Sequence, residues 1–284
     1  MGKYRKILVA FDGSASSRNA LKQAIRFQET EKAWIRVLVV LPPYEGDLEI
    51  IGVSDIKSVL EGSSEKLMKE AKEIAESERA AIITNVEQGQ AYEKIVDVAE
   101  TENCDIIVMG RRGIHHIERM LMGSVTSRVI GYTNKDVLVV PRDAAIQWGN
   151  ILLTVDNSNS SETAVKHALD FAASYGARVT VLSVVDVNDE FYAQVPHAVD
   201  QMVDKAKSLL EEVRKSAEAL DIETETFVRE GESYEKILET ASEKNADMIF
   251  MGSHGRRGVK KLVMGSVTEK VIGFSTCPVM VVKP

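Results

Sequence analysis

The chain is written twice. Ile7-Leu8-Val9-Ala10-Phe11-Asp12-Gly13-Ser14 recurs 144 residues on as Ile151-Leu152-Leu153-Thr154-Val155-Asp156-Asn157-Ser158, and Val37–Leu41 recurs as Val181–Val185 at the same offset. Further along, the offset is 142: Gly89-Gln90-Ala91-Tyr92-Glu93-Lys94-Ile95 matches Gly231-Glu232-Ser233-Tyr234-Glu235-Lys236-Ile237, and Met122–Thr126 matches Met264–Thr268 without a change. The first copy therefore carries two extra residues between Val40 and Gly89, where a surface loop would absorb them. Two repeats are too few for a solenoid, and each is already domain-sized. We read a tandem duplication of one domain, with expected domains 1–144 and 148–284 and a boundary within Asp143–Asn150.

Within each copy, short apolar runs alternate with helical periodicity. Lys6–Phe11 is a fully apolar run of the kind a buried parallel strand shows. Ser16–Thr30 then places Ala20, Leu21, Ala24, Ile25 and Gln28 on one helical face, and Asn159 with Glu162 suggests a capping box at the matching helix of the second copy. Arg36–Leu41 reads as a second strand closed by Pro42-Pro43. A long helix follows, with Leu60, Leu67, Ala71 and Ile74 on one side; the second copy offers Met202, Ala206, Leu209, Val213 and Ala217. Ile82–Val86, Asp105–Met109 and Val137–Val140 complete five strands, with helices expected at Tyr92–Glu100 and Ser124–Ile130. Strands alternating with helices predict a parallel sheet covered on both faces, and right-handed crossovers make each copy a doubly wound, Rossmann-like α/β sandwich.

Charge narrows the partners. With 35 Lys and Arg against 43 Asp and Glu the net charge is −8, divided as −2 before Ile146 and −6 from it onward. That balance argues against a general nucleic-acid or anionic-membrane binder, which uses a basic face. No apolar run approaches the ~18 residues of a membrane span, and the N-terminus has too short an apolar stretch for a signal peptide. Cys104 and Cys277 read as small apolar residues in a reducing compartment rather than a disulfide framework. A cytoplasmic protein is expected.

The chemistry is expected at the carboxyl ends of the strands, where the winding reverses. Asp12 and Asp156 end the first strand of each copy. Gly110, Gly113, Gly123 and Ser124, and again Gly252, Gly255, Gly265 and Ser266, form a Gly-x-x-Gly, nine residues, Gly-Ser pattern after the fourth strand. Glycines let backbone N–H groups approach an anion closely and adopt positive φ, and Gly-Ser at a helix start offers unpaired donors with the positive end of the helix dipole. An acidic residue at the neighbouring strand end suits a ribose hydroxyl. Against this, a lone Gly-x-x-Gly is common in turns, and an Asp after a strand often only organises a helix start. The pattern is neither a Walker A loop nor Gly-x-Gly-x-x-Gly.

On these motifs the chain resembles the universal stress protein family, along both halves and so nearly end to end. The resemblance implies a tandem member on an adenine nucleotide alpha hydrolase-like fold. It also implies adenine-nucleotide binding of the ATP-binding type: ATP, or AMP or ADP, with Mg²⁺ bridging the phosphates. The site residues it implies are Asp156 at the ribose, Val184 by the adenine, and Gly252, His254, Gly255, Gly265, Ser266 and Val267 at the phosphates. In the first half they are Asp12, Val40, Gly110, Arg112, Gly113, Gly123, Ser124 and Val125. The family's dimer pairing through the last strand implies an internal pseudo-dimer through Val137–Val140 and Val279–Val282, with a homodimer as a further option.

The halves differ. Gly252-Ser253-His254-Gly255 has the form typical of ATP binders, whereas Gly110-Arg111-Arg112-Gly113 puts a long cation in place of a small residue. Arg111 there either reaches a phosphate or occupies the pocket, so the second site ranks higher. Arg256, Arg257, Lys260 and Lys261 form a basic cluster beyond the loop, either a solvated face or a phosphate-steering patch. His115, His116 and Glu118 lack a supporting metal-ligand pattern. Trp148 is expected to pack between the halves. No positioned base or nucleophile for an enzyme is evident beyond slow ATP hydrolysis. The competing reading is an interaction or dimerisation module with vestigial pockets. An adenylyl-transferring enzyme would want an SGGxDS or HIGH-type loop, and neither appears.

Overall fold

The structure, a computed structural model, describes residues 4–43, 56–113, 122–187, 189–255 and 264–284. The first half runs β1 (Lys6–Ala10), α1 (Ala15–Glu31), β2 (Trp34–Leu41), α2 (Ile56–Ser77), β3 (Ile82–Gln88), α3 (Ala91–Thr101), β4 (Ile106–Gly110), α4 (Ser124–Tyr132) and β5 (Asp136–Val140). The second runs β6 (Asn150–Thr154), α5 (Asn159–Tyr175), β7 (Arg178–Val185), α6 (Asp189–Gln194), α7 (Pro196–Glu218), β8 (Thr224–Glu230), α8 (Ser233–Glu243), β9 (Met248–Gly252), α9 (Ser266–Phe274) and β10 (Val279–Val282). The His115–His116–Glu118 group and the cluster from Arg256 to Lys261 lie outside the described residues.

All strands join one ten-stranded sheet in the order β3-β2-β1-β4-β5-β10-β9-β6-β7-β8. Every pairing is parallel except the central one, where β10 runs antiparallel to β5 with Val279 opposite Val139, Met280 opposite Leu138 and Val281 opposite Val137. The expected pairing of the two last strands is therefore the seam, and it fuses two five-stranded halves into one sheet. In each half the winding reverses between the first and fourth strands, which brings Asp12 beside Gly110 and Asp156 beside Gly252 at their carboxyl ends.

Alternation along the strands divides the core. Ile7 and Val9 face the layer under α1, α2, α5 and α7, while Leu8, Ile107 and Val137 face the layer under α3, α4, α8 and α9. Each layer runs through both halves. Helix starts differ by a residue from the sequence reading. Ser14 and Ser158 are the N-caps, their hydroxyls accepting from Ser17 N–H and Ser161 N–H, so Asn159 is the first helical residue rather than the cap. A Ser at N-cap satisfies an N–H that the helix itself leaves unpaired.

Two side-chain clusters fix the halves on each other. Trp148 packs on Phe27 of the first half (ring centroids 5.4 Å) and on Phe171 and Tyr175 of the second (5.4 and 4.9 Å), as expected of a residue between them. At one end of the seam, the buried Asp136 carboxylate accepts from Tyr4 Oη–H (2.8 Å) and Lys283 N–H (3.0 Å), with His167 Nδ1 2.9 Å away. Cys104 is buried, and Cys277, half-buried, lies beside the Ser275 hydroxyl.

Candidate functional site

A cavity of about 650 Å³ opens at the carboxyl ends of β6, β7 and β9. All eight residues expected in the second half line it: Asp156, Val184, Gly252, His254, Gly255, Gly265, Ser266 and Val267. They come from four separate segments of sequence, and the reversal of winding brings those segments to one place.

The turn after β6 is built around Asp156. Its Oδ1 accepts from Ser158 N–H (3.2 Å) and Ser158 Oγ–H (2.6 Å), and its own N–H donates to Ser161 Oγ (3.1 Å). Asp156 therefore orders the cap residue Ser158 without being the cap, and its other oxygen faces the glycine loop. Asn157 takes the left-handed conformation at φ 62, as Gly13 does at φ 75, which explains Asp-Gly-Ser in one copy and Asp-Asn-Ser in the other.

Close approach, rather than positive φ, explains Gly110, Gly113, Gly252 and Gly255. None of Gly110, Gly113, Gly123, Gly252, Gly255 or Gly265 has positive φ, contrary to the sequence expectation. A Cβ on Gly252 would stand 2.7 Å from Ser160 Cβ and 2.9 Å from its carbonyl carbon, so α5 packs directly on the end of β9. A Cβ on Gly255 would stand 2.7 Å from Asp156 Oδ2. Gly265 is the N-cap of α9 and gives that helix no side-chain cap, while Ser266 at its first position is exposed. Among the described residues no side chain caps the first N–H groups of α9, which begin at the cavity, an arrangement suited to an anion. Gly265 N–H donates to Ser253 O (3.1 Å), and Thr268 Oγ1–H to Gly252 O (3.2 Å), which anchors the helix to the strand end. His254 turns its Nδ1 toward Ser253 Oγ (3.0 Å), and its buried Nε2 has no partner among the described residues.

The first half repeats this frame at Asp12, Val40, Gly110, Arg112, Gly113, Gly123, Ser124 and Val125. Val40 is half-buried near the carboxyl end of β2, as Val184 is in β7. Ser14 N–H donates to Asp12 Oδ1 (3.0 Å), Gly123 N–H to Arg111 O (2.9 Å) and Thr126 Oγ1–H to Gly110 O (3.1 Å). A Cβ on Gly113 would stand 2.5 Å from Asp12 Oδ2, and Gly123 leaves α4 without a side-chain cap. At the position of His254, Arg112 likewise holds a buried nitrogen, Nε, without a partner among the described residues.

Arg111 points across the seam. Its guanidinium leaves the first-half loop and donates from Nη1 to Ser275 O (2.8 Å) in the second half, with Ile272 O at 3.4 Å. A cation at the carboxyl end of α9 meets the negative end of that helix. Burial lowers the Arg111 pKa from its ordinary range, and the neighbouring Arg112 charge adds to that.

The sequence did not indicate several lining residues. Asp186 stands two positions past Val184 and carries the same signal as Asp156, an acidic residue at a strand's carboxyl end. Met202 on α7 and Ser233 and Ile237 on α8 come from helices whose contribution no spacing announces.

Fold and loop together define a tandem, doubly wound α/β protein with a glycine loop closing the fourth strand of each half. The chain belongs to the universal stress protein family, whose profile matches residues 3–141 and again 147–283. It is 26% identical over 293 residues to a universal stress protein of Mycolicibacterium smegmatis, covering 98% of this chain and 97% of that one. One from Methanocaldococcus jannaschii is 34% identical over 142 residues, covering 48% of this chain and 82% of the relative. The crystal structure of a universal stress protein from Archaeoglobus fulgidus aligns with a TM-score of 0.73 at 25% identity, covering 98% of this chain and 96% of that one. Among the described residues, no helix is long and apolar enough to cross a membrane.

Proposed function

We propose that the chain is an adenine-nucleotide-binding regulatory protein of the stress response, with ATP as its ligand and the second half as its better site. The observation that carries this reading is a cavity that gathers Asp156, the start of α9 without a side-chain cap, and His254 Nε2, which has no hydrogen-bond partner among the described residues. Its volume falls within the ~300–1,000 Å³ of ordinary small-molecule pockets. The pieces divide by chemistry: apolar Val184, Ile237 and Met202 suit a base, the Asp156 carboxylate suits ribose hydroxyls, and the first N–H groups of α9 suit phosphates. Mg²⁺ would enter on the phosphates and neutralise their charge. Among the described residues the one hydroxyl placed beside the His254 ring is that of Ser253, which is fully buried and outside the cavity lining, so we assign binding rather than turnover, with at most slow hydrolysis of bound ATP.

The test is direct. Purified protein is denatured and the supernatant analysed for adenine nucleotide, while native protein is titrated with ATP beside Gly255→Val. We expect saturable binding by the wild type and its loss at the second half in the variant. No released nucleotide together with no saturable ATP binding sinks the proposal and favours the dimerisation-module reading.

A further inference from the structure

Arg111 and Ser253 occupy equivalent places in the two loops, and their backbones are held alike. Arg111 N–H donates to Val140 O (3.1 Å) and its carbonyl accepts from Gly123 N–H (2.9 Å) at the N-cap of α4. Ser253 N–H donates to Val282 O (3.1 Å) and its carbonyl accepts from Gly265 N–H (3.1 Å) at the N-cap of α9. The side chains then part. Ser253 stays in its own loop against His254, whereas Arg111 crosses the seam to Ser275 O and Ile272 O.

The helix it reaches is only nine residues long, and its other end is the Gly265-Ser266 start at the second cavity. A helix that short spans about 14 Å and moves as a rod, so a displacement at one end is delivered to the other. The bond is charge-assisted, half-buried and of the favourable sign for a helix carboxyl end. Two further charges act on the guanidinium: Arg112, a like charge inside the first loop, and the opposing Asp143. An anion bound at the first loop would relieve that repulsion and compete for the same guanidinium.

We propose that Arg111 is a positioning residue that carries the state of the first loop to the cavity-facing end of α9, so that the two sites bind anions with coupled affinities. The inference rests on the nucleotide reading above. The second loop sends no matching crossing back, because the Ser253 hydroxyl is too short, but the coupling carried by Arg111 is reciprocal.

ATP titrations by calorimetry of the wild type, Arg111→Ala and Arg111→Lys test it, each repeated with Gly255→Val to identify the second-site signal. We expect Arg111→Ala to shift second-site affinity about five- to twentyfold, the scale of ordinary coupling between sites. Arg111→Lys keeps a cation at the carbonyls and should recover most of the loss. Hydrogen exchange supplies a readout that a merely structural role leaves unmoved. With the first site blocked by Gly113→Val, ATP at the second site should alter exchange at the amides of Arg111 and Arg112, and adding Arg111→Ala should abolish the change at Arg112. Unchanged second-site affinity in a well-folded Arg111→Ala that still binds ATP overturns the coupling and leaves the nucleotide reading standing. Absence of ATP binding by the wild type overturns both. Should Arg111→Ala fail to fold, an Arg111 and Arg112 exchange pattern indifferent to ATP in Gly113→Val overturns it alone.

Discussion

Asp156 Oδ2 lies 2.7 Å from the point where a Cβ on Gly255 would stand, and Asp12 Oδ2 lies 2.5 Å from the same point on Gly113. Real Cβ contacts are not that short, so a side chain at either glycine must displace the carboxylate beside it. The displaced group is a single terminus, while Asp156 Oδ1 keeps its bonds to Ser158. Gly255→Ala should therefore weaken ATP binding at the second half by tenfold or more, about 1.4 kcal/mol, with little change in melting temperature. Titration beside a thermal melt checks it; full affinity in the alanine variant would remove Asp156 from the site.

Gly252→Ala should do the opposite. There the obstacles are Ser160 Cβ at 2.7 Å and the Ser160 carbonyl carbon and oxygen at 2.9 and 3.1 Å, atoms of the α5 backbone rather than a flexible tip. Overpacking of this kind costs about 1–3 kcal/mol. We expect that loss in urea unfolding of ligand-free protein. A variant as stable as the wild type would show that α5 can withdraw from β9 freely.

The contrast between these glycines bears on what was legible in the sequence. The duplication, the doubly wound halves and the Asp156, Gly252, Gly255, Gly265 and Ser266 positions could be read, because each is written as a local pattern: an offset, a period, a glycine spacing; Val184, His254 and Val267 came with the family resemblance. Pairing of the two last strands came with the family resemblance rather than from any residue spacing. The reason for the glycines could not be read, since close approach of Ser160 to Gly252 depends on how α5 lies across β9. Met202 was hidden for the same cause, being placed by the tilt of α7. Arg111 is the most instructive case. Residue spacing places its Cα in the first loop correctly, but the destination of a long side chain is set by the other half, which local sequence does not contain.

Because both core layers run through both halves and Trp148 is shared between Phe27, Phe171 and Tyr175, the two halves should not unfold independently. Scanning calorimetry should show a single transition, with the van't Hoff and calorimetric enthalpies in agreement. Trp148→Ala, at a half-buried site, should lower stability by about 2–3 kcal/mol, below the ~3–5 kcal/mol of a fully buried aromatic. Two resolved transitions in the wild type would contradict the shared core.

Lys283 gives the seam a pH dependence. Burial pushes its ammonium down to about 8, against the opposing pull of Asp136. In the unfolded chain an ordinary lysine titrates near ~10.4. Below about pH 8 both states hold the proton, and the folded state bears the full cost of burying it. Between the two values the unfolded chain keeps a proton that the folded chain has released, so stability rises with pH there, by at most about 3 kcal/mol. The Cys104 and Cys277 thiols, pushed up by burial, act in the opposite direction: the folded chain keeps their protons while the unfolded chain loses them, and stability falls. The Lys283 contribution is therefore isolated by comparison with Lys283→Met, which retains the backbone N–H that donates to Asp136 Oδ1. Urea unfolding from pH 7 to 10 should show the wild type gaining on the variant as pH rises through 8. Parallel curves would mean that the Lys283 ammonium is solvated in the folded protein.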